Sequence, residues 1–236
     1  MDKKYKLRTD LSYTFDGHKL YRVEALKDFG NVKKGSVGGF IEKEDNLSQE
    51  GNCWIFLDAK VYGNAKVFGN AIINGFAQVC DNSVVFDNAQ VRGYSKVKNN
   101  ARVFNNARME DCSIVKDNAQ VYGNSLLLDN AQVCDNAHLI GTCLVRDNAI
   151  VCGDACIYDV VRFISDAKIM SPADYYIGHE NWECGHNFVY TRSNNQWSTF
   201  FINGTKEEIL EFAKKRGEIN YNFYKNVIEF VEKMYS

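Results

Sequence analysis

The sequence predicts a mainly β protein: a parallel β-helix of about seven triangular coils, with an N-terminal β cap and a small C-terminal α+β domain. Three observations carry this. The phrase NAKVFGNA at 64–71 returns as NARVFNNA at 100–107 and NAQVYGNS at 118–125. Counting in sixes from Asn52 gives twenty hexads without a gap, ending at Ser171. The sixth position of the hexad is Gly, Asp or Asn in seventeen of the twenty. A short fixed period of this kind marks a β-solenoid, in which each side of a coil repeats one structural phrase.

Residues 1–51 precede the repeat and read as a β-rich cap. YTFDGHKLYRV contains Asp16-Gly17, a tight-hairpin signal between two strands. A cap is needed because an open solenoid end exposes unpaired strand edges.

Residues 52–171 are the solenoid. The second hexad position is Ala, Ser or Cys in nineteen of twenty, Val161 excepted. The fourth is Val, Ile, Leu or Met in nineteen of twenty, Phe163 excepted. Alternation along a strand then sends Ala65 and Val67 to the axis and Lys66 and Phe68 outward. The sixth position turns the corner, since Gly, Asn and Asp tolerate positive φ. Three sides close a coil of eighteen residues, and at roughly 4.8 Å per rung the prism is about 32 Å long.

Residues 172–236 form the third unit. Pro172 stops the repeat. NFVYTR and QWSTFFI read as strands joined by a turn at Ser193-Asn194-Asn195. Thr205 with Glu208 makes a capping box for a helix ending near Gly217. Tyr224, Val227, Ile228 and Val231 line one face of a second helix.

Composition narrows the function. A net charge of −2 gives no general attraction to nucleic acid or anionic membranes. No run of about eighteen apolar residues is present, and MDKKYKLRTD lacks a signal-peptide core. The eight cysteines contain no CxxC pair and read as reduced thiols of a cytoplasmic protein. P-loop, GxSxG and dinucleotide fingerprints are absent from the sequence.

The NAxVxG/DNA pattern resembles the left-handed β-helix of hexapeptide-repeat proteins. The block LYRVEALKDFGNVKKGSVGGFIEKEDNLSQEGNCWIF at 20–56 resembles the opening of a bacterial and bacteriophage family of β-solenoid proteins, often labelled acyltransferases on fold alone. The resemblance implies the left hand. For the enzymes of the fold it implies acyl-CoA bound along the prism and a histidine base at a subunit interface.

Outward positions on one face recur every eighteen residues and can be stacked. The first face carries Phe68, Phe86, Phe104, Tyr122, Ile140 and Tyr158, the candidate binding column. Beside it run Lys66, Val84, Arg102, Gln120, His138 and Cys156. The second face holds Trp54, Phe56, Ile72, Leu126, Leu128, Leu144 and Ile164; the third is richer in Lys and includes Cys80, Cys134 and Cys152. An apolar column of this length reads as an interface with a protein partner or a second copy in a homo-oligomer, or as a ladder that stabilises the fold. His138 is the one histidine of the solenoid and the weak candidate base. Such enzymes also carry a loop between hexads that shapes the pocket, and 52–171 has none. His179, Cys184 and His186 have a loose metal-like spacing without an evident fourth ligand, so no metal is expected. The resulting expectation is a non-enzymatic interaction protein of phage or prophage type, needing no cofactor, that inhibits a host defence system through flat faces. The alternatives are an acyl-CoA-dependent acyltransferase and a self-assembling architectural component.

Overall fold

The computed structural model describes residues 3–158, 160–179, 187–199 and 201–235. Its centre is a parallel β-solenoid of about seven turns. Short strands from Trp54–Ile55 to Lys168–Ile169 occupy the third and fourth positions of successive hexads. Successive strands of a face pair in register eighteen residues apart, as Arg102 does with Gln120 after it and Val84 before it. The strands fall into three parallel stacks, one per face.

The period-two sorting holds. Val85, Val103 and Val121, with Ala89, Ala101 and Ala119, are fully buried on the axis. Phe86 and Phe104 lie outside, half-buried. Small residues at the second position let three sheets approach without a void, and β-branched residues at the fourth fill the tube.

The corners explain the rest of the hexad. Sixth-position residues have positive φ along the tube, from Gly63 at 67° to Asp147 at 59°. Leu57 and Ser165, which break the composition rule, adopt the same conformation at 55° and 57°. Asp adds something that Gly lacks. Its carboxylate accepts the backbone N–H of the sixth position one coil later: Asp81 from Asn99 at 2.7 Å, Asp135 from Gly153 at 2.9 Å and Asp147 from Ser165 at 2.9 Å. A donor left over by coil-to-coil pairing is thereby satisfied. First-position asparagines form amide ladders, Asn70 to Asn88 at 3.0 Å and Asn88 to Asn106 at 3.1 Å.

At the N-terminal end, β1 (Tyr5–Phe15) and β2 (His18–Ala25) form the expected hairpin, with Asp16 at φ 51° and Gly17 at φ 80°. Strand β3 (Val37–Ile41) pairs antiparallel with β2 and parallel with Lys60–Val61, so cap and third face are one sheet. Phe40 meets Lys60, twenty residues on, and Leu47 bridges Val67 at the same offset. The winding therefore starts before Asn52, with two extra residues in its first coil. The cap also covers outward-pointing residues. Trp54 is buried under Tyr5 and Phe29, and Tyr62 under Phe15 and His18. Lys4 is buried too. Its ammonium donates to the carbonyls of Glu50 (3.1 Å), Gly51 (3.3 Å) and Cys53 (3.1 Å).

At the other end, the hexad exceptions Val161 and Phe163 are buried in the last coil, and Phe163 packs edge-on against Tyr175 at 5.4 Å. They plug the tube. Ser171 caps a short 3-10 turn at Pro172–Asp174. An antiparallel sheet follows: β4 (Tyr175–His179), β5 (Asn187–Thr191), β6 (Gln196–Ser198) and β7 (Asn203–Gly204), here numbered apart from the solenoid strands. β4 was not expected, and the strand read as QWSTFFI ends at Ser198. Thr199 then makes a turn, its hydroxyl accepting the N–H groups of Phe201 and Ile202. Neighbours Phe188 and Val189 face opposite ways along β5. Val189 joins the solenoid core and Phe188 joins a second core under the helices. Gly178, opposite Phe188, has no room for a side chain, since a Cβ there would sit 1.9 Å from the ring. Helices α1 (Lys206–Lys215) and α2 (Glu218–Tyr235) bring Ile209, Ala213, Tyr224, Ile228 and Val231 to that core. The Thr205–Glu208 capping box is present. Asn187 and Asn194 donate to the carbonyls of Val160 and Ile164, so the C-terminal unit is seated on the last coil. Among the described residues no helix is long and apolar enough to cross a membrane.

Candidate functional site

The site is built from one hexad position repeated on one face. The fifth position points outward just before the corner, and in-register pairing stacks it from coil to coil. Phe68, Phe86, Phe104 and Tyr122 form a continuous pile with centroid separations of 4.9, 4.8 and 4.5 Å and interplanar angles of 16°, 5° and 12°. The separations follow the rung spacing, so the backbone dictates the stack. The Arg102 guanidinium lies over both Phe86 and Phe104, at 5.4 and 5.7 Å from their centroids. Ile140 interrupts the pile and is half-buried, while Tyr158 beyond it is 71% exposed. The structure thus brings four of the six column residues into mutual contact and leaves Ile140 and Tyr158 as its extension.

The two tyrosines differ in environment. Partial burial raises the Tyr122 hydroxyl above its ordinary value, with a smaller contribution from Cys156. A hydrogen bond with Cys156 does the same for Tyr158. Both phenols stay neutral and present donors at the rim of an apolar strip.

A second pile was missed by the sequence reading. Phe76 and Tyr94 stack at 5.0 Å and 9°, and both are exposed, on the corner between the second and third faces. They occupy the first hexad position, where Asn is usual. Two aromatic exceptions eighteen residues apart were the available signal.

His138 stands beside the column, paired between Gln120 and Cys156, and is half-buried. Its imidazole makes no hydrogen bond or ion pair among the described residues. A general base is normally oriented by a carboxylate or carbonyl on its second nitrogen, and His138 has no such partner in the described structure. Cys134 and Cys152 are neighbours on the third face, as expected, and both are buried. Cys184 and His186 and the side chain of His179 lie outside the described residues.

The chain is similar to a curated protein of Escherichia coli (strain K12) named uncharacterized acetyltransferase YdcK. The two are 38% identical over 81 residues, covering 31% of this chain and 25% of that protein. The hexapeptide-repeat resemblance is thus supported by the parallel solenoid and by similarity to a protein named an acetyltransferase. The match spans only a quarter of the relative's length. No family model matches the chain.

Proposed function

We propose that this chain is a non-enzymatic binding protein of the cytoplasm, a rigid solenoid whose first face contacts another protein or a second copy of itself. The observation that supports this is the flat pile of Phe68, Phe86, Phe104 and Tyr122, continued by Tyr158. Aromatic rings held rigidly on a strand ladder present apolar area without the entropy cost of ordering flexible side chains. Aromatic and Arg side chains are enriched in protein interfaces, and Arg102 sits within the strip. The bacteriophage-like opening adds a setting: a phage or prophage product that occupies a host defence complex by shape.

The test replaces Phe86 and Phe104 with Ser and measures solution mass and partner capture from cells. A Lys96→Ser/Lys98→Ser variant on the third face is the control. The reading expects the aromatic variant to lose association while the control keeps it. Equal behaviour of the wild type and the aromatic variant would reduce the pile to a stabilising ladder.

Acyl transfer is the second reading, favoured by the name that the relative carries. It requires saturable CoA binding and a turnover that disappears in His138→Ala while the fold persists. The isolation of the His138 imidazole gives it less support than the binding reading has.

A further inference from the structure

Cys134 and Cys152 lie one coil apart on the third face, about 8% and 5% exposed. Asp135 follows Cys134 at the corner, and its carboxylate joins the pair. The two Sγ atoms and a carboxylate oxygen all lie within 4.8 Å of one another. The Asp135 side chain is fixed by one oxygen, which accepts the Gly153 N–H at 2.9 Å. Its backbone N–H is in turn held by Asp117 at 3.3 Å. The chain carries other cysteines, but among the described residues this is the one group of His, Cys, Asp and Glu side chains close enough to share an ion.

We propose that Cys134, Asp135 and Cys152 form a binding site for a thiophilic divalent cation of the Zn²⁺ class. The donor set is two sulfurs and one oxygen, with solvent supplying a fourth ligand on the exposed Asp135 side. Zn–S bonds are about 2.3 Å, which puts two sulfurs of a tetrahedral site roughly 3.8 Å apart. The observed group reaches this by a contraction of about one ångström or less through side-chain rotation. On binding, both thiols become thiolates and their protons pass to the buffer. Without the ion, burial and then Asp135 push the Cys134 thiol up to about 11, so it is protonated at neutral pH. The ion would tie the coil bearing Cys134 to the coil bearing Cys152. The tie lies close to the last coil, where Lys168 N–H donates to Ser193 of the C-terminal unit at 2.7 Å. Thiolate donors favour Zn²⁺ and its soft analogues over Mg²⁺ or Ca²⁺, which take oxygen ligands.

The experiment titrates the whole reduced chain with Co²⁺, a spectroscopic stand-in for Zn²⁺. The site predicts near-ultraviolet thiolate charge-transfer absorption and the visible bands of a tetrahedral ion. These saturate at one Co²⁺ per chain and are bleached by Zn²⁺. Cys134→Ser and Cys152→Ser abolish the charge-transfer band, Asp135→Asn weakens binding, and Cys112→Ser leaves it unchanged. A second readout needs no variant: Zn²⁺ raises the thermal midpoint of the wild type and Mg²⁺ does not. Absence of the band, its persistence in either cysteine variant, or an unmoved midpoint with Zn²⁺ overturns the proposal.

Discussion

At the scale of single residues, the sixth hexad position does two jobs. It turns the chain with positive φ, and as Asp it accepts the amide of the coil above. Asp147 shows both, with φ 59° and a 2.9 Å bond from Ser165 N–H. Asp147→Gly is expected to lose about 1 kcal/mol, the value of a hydrogen bond. Asp147→Ala is expected to lose roughly 1–2 kcal/mol more, because an L side chain is strained in the left-handed region. Both variants also lose the same Arg146 contact, so the difference between their urea midpoints isolates the backbone cost. Equal midpoints would contradict the corner argument. The buried thiols make a second prediction. Desolvation raises Cys80 and Cys134 from an ordinary 9.0 to about 11. A raised folded-state value means the native protein holds these protons where the unfolded chain releases them. Their stabilising effect is complete below pH 9 and falls away between pH 9 and 11. Denaturation midpoints measured across that window should decline, and a flat profile would count against their burial. The turning function was legible in the Gly/Asp/Asn composition. The carboxylate-to-amide bond was not, because it joins residues eighteen apart that become neighbours only once the coil is wound.

At the scale of elements, the aromatic pile is a consequence of register. Phe104 touches rings on both sides, at 4.8 and 4.5 Å. Phe104→Ala should destabilise the protein by more than the roughly 1–3 kcal/mol of two stacked contacts at about 0.5–1.5 each, because it gives up buried apolar area as well. Phe104→Leu, which keeps apolar area but no ring face, should cost less. A Leu variant as unstable as the Ala variant would show that ring stacking, rather than apolar cover, supplies the effect. Stacking every eighteen residues made this column readable from the sequence. The same is true of the Asp16-Gly17 hairpin and the Thr205–Glu208 helix start, whose signals are local. Strand Tyr175–His179 was not readable. It follows Pro172 without alternation, and its partner Asn187–Thr191 is set by long-range pairing. The first coil was hidden for a different reason: its two extra residues shift the hexad register before Asn52.

At the scale of the whole molecule, both ends of the tube are covered, the N-terminal cap reaches over Trp54 and Tyr62 on two faces, and the first face keeps Phe68 and Tyr158 exposed. Lys4 and Tyr5 supply donors to the carbonyls of the first turns, and Phe163 with the C-terminal sheet closes the last. A solenoid closed at its ends meets other molecules through its faces, where side-chain columns run unbroken over several coils. The first face offers the longest aromatic column, and the account stands on that face being a contact surface. The direct measurement is photo-crosslinking in cells, with a photoreactive amino acid placed at Phe68 or Tyr158, the exposed ends of the column, and at Lys98 on the third face as control. The account predicts discrete adducts from the two column positions and none from Lys98. Adducts from Lys98 alone, or none from any position, would contradict it.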